Sequence, residues 1–319
     1  MDSVLANKPL VSIGLPVLNE ENYLRQTVKA LLAQDYHNFE LIISDNASTD
    51  RTAEICREFY ERDSRVKYHR HETNVGGVKN FNGVFERASG KYFMWAGGHD
   101  LWGSTFVSRA VSVLESDPGV VLVFARAMLI DTHGNHHGIM ADDLDTRKLS
   151  PLRRYLKLIW NLQSCNTIHG LMRANVLRQS VLLSYAWGSD IILLADLSLR
   201  GEFAQIPEVL FYRREVRPEE NEDPEAWKKR ALATTEGPHQ SNRREMSLEE
   251  LFREMRNEEL RLIYASQLGP RDKLRALAGT INCARRRYGV RLPLDPLLRG
   301  IAALRSPRMF IKKVRLRLN

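Results

Sequence analysis

Four short polar stretches near the amino end hold the residues best able to do chemistry. In chain order they are Pro16-Val17-Leu18-Asn19-Glu20-Glu21, Asp45-Asn46-Ala47-Ser48-Thr49-Asp50, Asn74-Val75-Gly76-Gly77 with Asn80 and Asn82, and Gly97-Gly98-His99-Asp100. Carboxylates and amides gathered around a nucleotide accept from base N–H groups and ribose hydroxyls, whereas a carboxylate beside phosphates needs a cation between them. Asp, Asn and Ser are also ordinary turn formers and helix caps, so one such stretch decides little by itself. Further along, Trp187-Gly188-Ser189-Asp190 opens a helical pattern with an acid, and Tyr212-Arg213-Arg214 ends an extended one with two cations.

Position gives these stretches their weight. Leu10 to Pro16, Phe39 to Ser44, Val66 to His69 and Lys91 to Ala96 read as strands, and Val120 to Ile130 as a fifth. Between them lie helical patterns: one capped by Asn19 with Leu24, Val28, Leu31 and Leu32 on one face, then Arg51 to Glu61, Gly77 to Ala88, and Ser104 to Glu115. Alternation of this kind predicts a mostly parallel sheet covered by helices on both faces. Ligands of such sheets sit outside the carboxyl ends of the strands, where the strand order reverses. Three polar stretches fall at those ends, after Pro16, after Ser44 and after Ala96.

Beyond residue 130 the pattern loosens. Pro151 to Leu162 is helical, Thr167 to Met172 strand-like, Ala174 to Leu183 and Asp190 to Leu199 helical, and Phe203 to Tyr212 extended. Arg217 to Arg230, charged and holding Pro218 and Pro224, reads as a loop or boundary. Amphipathic helix follows from Ser247, interrupted by Pro270, Pro293 and Pro296.

The 319 residues, 43% hydrophobic, suffice for a large core, and no run of about 18 apolar residues suggests a membrane span. Met1 to Pro9 does not read as a secretion signal. Cys56, Cys165 and Cys283 form no CxxC pair, which points to a reducing compartment and away from disulfides or zinc. A cytoplasmic protein is expected. The net charge of +8 sits in the tail: from Arg271 to Asn319 there are fourteen Lys and Arg against two acids.

Pro16-x-x-Asn19-Glu20-Glu21, Ser44-Asp45-Asn46-x-Ser48-x-Asp50, Asn74-x-Gly76 and Ala88-Ser89-Gly90-Lys91-Tyr92, in this order, resemble glycosyltransferase family 2, inverting enzymes of the GT-A fold. The resemblance covers about the first 130 residues closely and extends loosely to Arg214. It implies a GT-A Rossmann-like α/β domain over 1–215, with a nucleotide-sugar half at about 8–130 and an acceptor half at about 131–215, then a charged linker and a basic helical C-terminal region over 216–319. It assigns Pro16, Asn19, Glu20, Asp45, Asn74, Gly76, Lys79, Gly98 and His99 to the nucleotide, with Asp45 facing the base. It gives Asp100 a divalent cation, Mn²⁺ or Mg²⁺, and Arg213 and Arg214 the diphosphate.

The family's acidic element after the fourth strand is reduced here to Gly98-His99-Asp100, its first acid replaced by glycine. His99 either turns preference toward Mn²⁺ or faces away and leaves the cation to Asp100, and the second is the stronger reading. The histidine that the family carries after the two arginines is missing, since Glu215-Val216-Arg217 stands there. Asp190 matches the family's catalytic base, and direct displacement at an anomeric carbon needs such a carboxylate opposite the leaving diphosphate.

The implied donor is a nucleotide-diphosphate sugar, UDP foremost, and the implied acceptor a glycan or lipid-linked sugar of the cell surface. No Gln-x-x-Arg-Trp element is present, so one sugar per encounter is expected. Val290 to Asn319 interleaves apolar residues with Arg299, Arg305, Arg308, Lys312, Lys313, Arg315 and Arg317. Such a segment either lies on an anionic membrane surface, each cation adding about 1 kcal/mol, or packs on the body with a solvated basic face. The rival readings are a catalytically degenerate nucleotide-sugar binder and, less favoured, a nucleic-acid binder acting through the tail. No nucleic acid is expected, because aromatic interleaving is lacking. The first strand is not followed by GxGxxG, which disfavours a dinucleotide oxidoreductase.

Overall fold

Val11–Val17, buried at every position, forms β1 near the middle of the sheet. A computed structural model describes residues 8–140, 143–215 and 246–288. Within them the order is β1, α1 (Leu24–Leu32), β2 (Phe39–Asp45), α2 (Thr52–Arg62), β3 (Val66–Arg70), α3 (Gly77–Glu86), β4 (Tyr92–Trp95), β5 (Leu101–Trp102), α4 (Phe106–Ser116), β6 (Val120–Ile130) and β7 (His136–Ile139). Then come α5 (Pro151–Asn161), a 3₁₀ turn (Cys165–His169), β8 (Leu171–Arg173), α6 (Ala174–Leu177), α7 (Ser189–Arg200), β9 (Glu202–Arg214), α8 (Leu248–Ala265) and α9 (Pro270–Arg287).

The strands join in the order β3-β2-β1-β4-β8-β6-β9-β5, with β7 beside β6. From β3 to β4 every pairing is parallel, and β6 runs parallel to β9 along almost its whole length, whereas β8 is antiparallel to both its neighbours. The chain steps from β1 outward to β2 and β3, then returns to β1's other side with β4. That reversal opens a crevice at the carboxyl ends of β1 and β4.

Alternation along the strands builds two cores. Val11, Ile13, Leu15, Tyr92 and Met94 face α1, α2 and α4, with Leu24, Val28, Ile55, Phe59 and Val107. Phe93 and Trp95 face the other side with Val84, Phe85, Tyr155, Leu158, Leu193 and Leu194. Gly14 lets α3 lie close on β1: a Cβ there would stand 2.7 Å from Val84 Cγ2 and 2.8 Å from Phe93 Cζ.

Three local expectations are corrected. Asn19 does not cap α1; it lies at φ 55, ahead of a turn in which Tyr23 N–H donates to the Glu20 carbonyl, and the helix starts at Leu24. A short polar side chain tolerates this left-handed backbone, and its Oδ1 serves another loop instead. The helix expected from Ala174 to Leu183 stops at Leu177. Val181 N–H is taken by Asp196 Oδ2 and Leu182 N–H by Ser180 Oγ, which divert the backbone into a loop. The stretch expected to be a strand from Thr167 begins instead with the 3₁₀ turn, and pairs only from Leu171.

α8 opens with a capping box in which Ser247 N–H donates to Glu250 Oε2 (2.7 Å) and Glu250 N–H to Ser247 Oγ (3.3 Å). Pro270 begins α9, a position where its missing N–H costs nothing. Both helices share the second core, through Ile263, Ala276 and Cys283. The charged segment from Arg217 to Arg230 and the tail from Val290 to Asn319 lie outside the described residues. Among the described residues no helix is long and apolar enough to cross a membrane.

Candidate active site

β1 and β2 end level, with Pro16 opposite Ser44 and Val17 opposite Asp45. The loops that follow clasp one another. Asn19 N–H donates to Ser48 Oγ (3.0 Å), Glu20 N–H to Thr52 Oγ1 (2.8 Å) and Glu21 N–H to Asp50 Oδ2 (3.1 Å). In return Thr49 N–H donates to Asn19 Oδ1 (2.8 Å) and Arg51 N–H to Glu21 Oε2 (3.0 Å). Burial opposes ionisation of Asp50, but the donors from Thr52 and Glu21 outweigh it and hold that carboxyl below its usual range. Asn19 and Asp50 are therefore spent on joining the loops.

Asp45 is 0% exposed. Its Oδ1 accepts from Ser48 N–H (2.8 Å) and its Oδ2 from the Tyr68 hydroxyl and Arg70 Nε, each at 3.1 Å. Burial, and next the Asp45 charge, push the Tyr68 phenol well above its ordinary range. The carboxylate expected to face a base is thus buried and bonded to half-buried Tyr68 and exposed Arg70. Neither residue was singled out by sequence, although both lie two positions apart on β3, beside β2.

Asn46 ties the second loop to the third. Its Nδ2 donates to Asn74 Oδ1 (2.8 Å), and its Oδ1 accepts from Val75 N–H (2.8 Å). Gly76, at φ 88, makes a bend closed to residues with a side chain, and Lys79 lies exposed on the first turn of α3. Asn80 Nδ2 donates to the Ser44 carbonyl (3.1 Å), while its Oδ1 is buried with no partner among the described residues.

At the end of β4, Ala96 N–H donates to the Gly14 carbonyl (2.8 Å), and Thr27 Oγ1 of α1 bonds the carbonyls of Gly98 (3.0 Å) and Asp100 (2.9 Å). Asp100 is 4% exposed, and its Oδ1 accepts from Arg214 N–H (2.9 Å). Among the described residues nothing donates to its Oδ2, and a Cβ on Gly97 would stand 2.6 Å from that oxygen. A Cβ on Gly98 would stand 2.7 Å from Glu20 Cγ. His99 does not face away: its Nδ1 lies 3.0 Å from Glu20 Oε1. Glu20 fills the space that the lost acid of the loop leaves open, and it holds His99 there.

The two arginines part company. Arg214, 3% exposed, donates from Nε to the His99 carbonyl (3.0 Å), from Nη1 to the Asp131 carbonyl (2.9 Å) and from Nη2 to Gln26 Oε1 (3.1 Å). Its guanidinium also lies 4.7 Å from the centre of the Tyr23 ring. Arg213 is partly exposed and donates to Asn166 Oδ1 (3.2 Å). His169 was missed in the sequence; its Nδ1 lies 3.1 Å from the Trp95 carbonyl, and burial, opposed by the Asp100 charge, lowers its pKa. Beside it Trp102 Nε1 is buried without a partner among the described residues.

α7 ends at a tight reversal, where Gly201 N–H bonds the Leu197 carbonyl and the chain turns into β9. Asp190, half-buried, stands in the first turn of α7, where its Oδ1 accepts from Ile191 N–H (2.9 Å). The loop leading to α7 is moored to α3, since Asn82 Nδ2 donates to the Leu183 carbonyl (2.7 Å) and Asn82 Oδ1 accepts from Leu183 N–H (3.3 Å).

The model of Glycosyl transferase family 2 matches residues 12–182. The chain belongs to glycosyl transferase family 2. An uncharacterized glycosyltransferase of Haemophilus influenzae is 27% identical over 215 residues, 65% of each chain. TuaG of Bacillus subtilis, named as a candidate teichuronic acid biosynthesis glycosyltransferase, is 36% identical over 95 residues, 30% of this chain and 38% of its own. This chain therefore spans 65% or less of the length of these relatives. Among solved structures, S. aureus TarS 1–349 in complex with UDP-GlcNAc superposes with a TM-score of 0.63 at 16% identity, over 88% of this chain and 74% of that one. The Pyrobaculum calidifontis mannosyltransferase PcManGT in complex with GDP-Man and Mn²⁺ gives 0.52 at 16%, over 94% and 81%. These likenesses establish the GT-A fold for this family 2 chain.

Among the described residues no group of three or more His, Cys, Asp or Glu side chains could hold a metal ion. Asp100 Oδ2 lies where a Cβ on Gly97 would stand 2.6 Å away, and the Glu20 carboxylate lies beside His99 of the same loop. A single carboxylate suits a hard cation that takes most of its remaining ligands from phosphate and water.

Proposed function

We propose that this chain is an inverting glycosyltransferase, transferring one sugar from a nucleotide diphosphate, UDP foremost, to a hydroxyl of a cell-surface glycan or glycolipid. The observation that carries the reading is the convergence of the clasped loops after β1 and β2 with the Gly97–Asp100 loop after β4, joined through Glu20 and His99. The named activities of the relatives, and the nucleotide sugars bound by the two fold neighbours, support it.

In this proposal Pro16, Glu20, Asn74, Gly76, Lys79, Gly98 and His99 line the nucleotide. Asn19 and Asp45 act from behind, Asn19 by locking the loops and Asp45 by aiming Tyr68 and Arg70. Arg213 neutralises the diphosphate, while Arg214 supports the loop bearing Asp100. A cation on Asp100, Mn²⁺ or Mg²⁺, would offset charge on the leaving diphosphate. Asp190 accepts the proton of the acceptor hydroxyl as its oxygen bonds to the anomeric carbon. The bond from that carbon to the phosphate oxygen breaks on the opposite face, so the configuration inverts. The proposed catalytic domain ends near residue 215, and the protein acts in the cytoplasm.

Calorimetric titration with UDP, GDP and dTDP, each with and without Mn²⁺, tests the reading. Binding of one nucleotide, strengthened by Mn²⁺, is expected; binding of none would sink it. NMR of the first-formed product then gives the anomeric configuration, and retention would refute inversion.

A further inference from the structure

α8 lies beyond the residues that the family model matches, yet it covers the backbone that delivers Asp190. Gly188 precedes α7 at φ 67, two residues before Asp190. A Cβ at Gly188 would stand 2.4 Å from Met255 Sδ and 3.2 Å from Met255 Cγ. The thioether of α8 thus occupies the notch that a glycine in this left-handed backbone leaves open. Trp187 is buried against the same helix, its ring 6.4 Å from that of Phe252 and nearly perpendicular to it at 82°. Ala186 and Ile192 complete the contact with Leu251 and Met255.

α8 is itself held in register. Phe252 stacks on Tyr288 at 4.6 Å, just past the end of α9. Arg256 places its guanidinium 4.7 Å from the same ring and pairs with Glu259, the two side chains being 1% and 0% exposed. A slide or rotation of α8 would break the contacts that Phe252 and Arg256 make with the Tyr288 ring. From α9 through Phe252 and Met255 to Gly188, packed contacts lead to the start of α7.

We propose that α8 is a buttress that sets the position of Asp190, with Met255 as the positioning residue. Residues 246–288 are then part of the transfer apparatus and not an appendage. The inference rests on Asp190 being the base. A base must come within hydrogen-bond reach of the acceptor proton, and a displacement of about 1 Å costs on the order of 100-fold in rate.

The test uses the full chain and five variants: Met255→Ala, Met255→Leu, Gly188→Ala, the Gly188→Ala/Met255→Ala double variant, and Asp190→Asn. Each is measured for UDP affinity with Mn²⁺, for melting temperature, and for nucleotide release from a panel of UDP-, GDP- and dTDP-sugars. Met255→Ala is expected to lower kcat by about 10- to 100-fold, with donor KM and UDP affinity within about twofold. Met255→Leu, which refills the notch, restores kcat to within about threefold. Gly188→Ala costs less in the Met255→Ala background than in the wild type, because the collision is gone.

Unchanged kcat in Met255→Ala, or a kcat that falls only in step with UDP affinity, overturns the inference. If Met255→Ala does not fold, Phe252→Leu is read by the same split. Asp190→Asn with wild-type turnover removes the base reading and the buttress with it. An inactive Asp190→Asn beside a fully active Met255→Ala sinks the buttress alone. Release from no donor by the wild-type protein overturns both.

Discussion

The main-chain N–H of Arg214 donates to Oδ1 of Asp100 across 2.9 Å, joining the last residue of β9 to the loop after β4. The Arg214 side chain closes the other side of that loop by donating to the His99 carbonyl. One residue thus fixes one oxygen of the carboxylate through its backbone and the loop through its guanidinium. Asp100 Oδ2 is left beside Gly97, where the proposal places the cation.

Arg214 should therefore matter for folding more than for affinity. Arg214→Met strands the Asp131 and His99 carbonyls and Gln26 Oε1, and is expected to cost about 2–4 kcal/mol. Arg213→Ala removes a single bond to Asn166 and should cost about 1 kcal/mol or less, while weakening UDP binding roughly tenfold. Urea unfolding beside UDP titration separates them. Equal stability losses would contradict the division of labour.

Asp100→Asn is expected to keep the fold, because the amide oxygen still accepts from Arg214 N–H. It should lose the part of UDP affinity that Mn²⁺ adds, since a neutral amide is a poorer ligand for a hard cation. A variant whose UDP affinity still rises with Mn²⁺ as in the wild type would remove Asp100 from the metal site.

Much of the site was legible because strand ends are read well from local patterns. Val11 to Val17 and Phe39 to Asp45 each carry a short apolar run into a polar stretch, so the placing of Glu20 and Asp50 followed from chain order. The orientation of side chains was less accessible. Asn19 looked like a cap because its type and place suit one, and only the partner loop at Thr49 reveals its different use. Arg213 and Arg214 are indistinguishable as a pair in sequence. They separate because successive residues of β9 face opposite ways. His169 was invisible for a related reason: its role depends on β8 being inserted between β4 and β6, a long-range pairing that periodicity does not encode.

Restoring an acid at position 98 should not improve the site. A side chain there meets Glu20 Cγ at 2.7 Å and must push the Glu20 carboxylate off His99. Gly98→Asp adds a second negative charge to the same space, which raises the cost further. UDP affinity is expected to fall by about tenfold with stability changed by about 1 kcal/mol or less. Tighter Mn²⁺-dependent binding in Gly98→Asp would mean that Glu20 moves aside freely, and that it does not fill the vacated position.

Glu40 makes stability depend on pH in acid, away from the site. The side chain is 5% exposed on β2; it accepts from Ser12 Oγ (2.5 Å) and from Ser89 N–H (2.9 Å) and Oγ (2.8 Å), and it pairs with Lys67. Burial alone would raise its pKa, but the Lys67, Ser12 and Ser89 donors outweigh it and hold the carboxyl at about 2. An unfolded glutamate titrates near about 4.3, so the folded state binds the proton less readily. The stabilisation is full above that value and is lost as pH falls through the folded pKa. Glu40→Gln removes the titrating group. The difference in unfolding free energy between wild type and Glu40→Gln should be constant from about pH 7 to pH 5 and shrink steadily toward pH 2. Subtracting the variant cancels the other acids that titrate in the same range. A difference that stays level down to pH 2 would show that Glu40 is not held ionised by these donors.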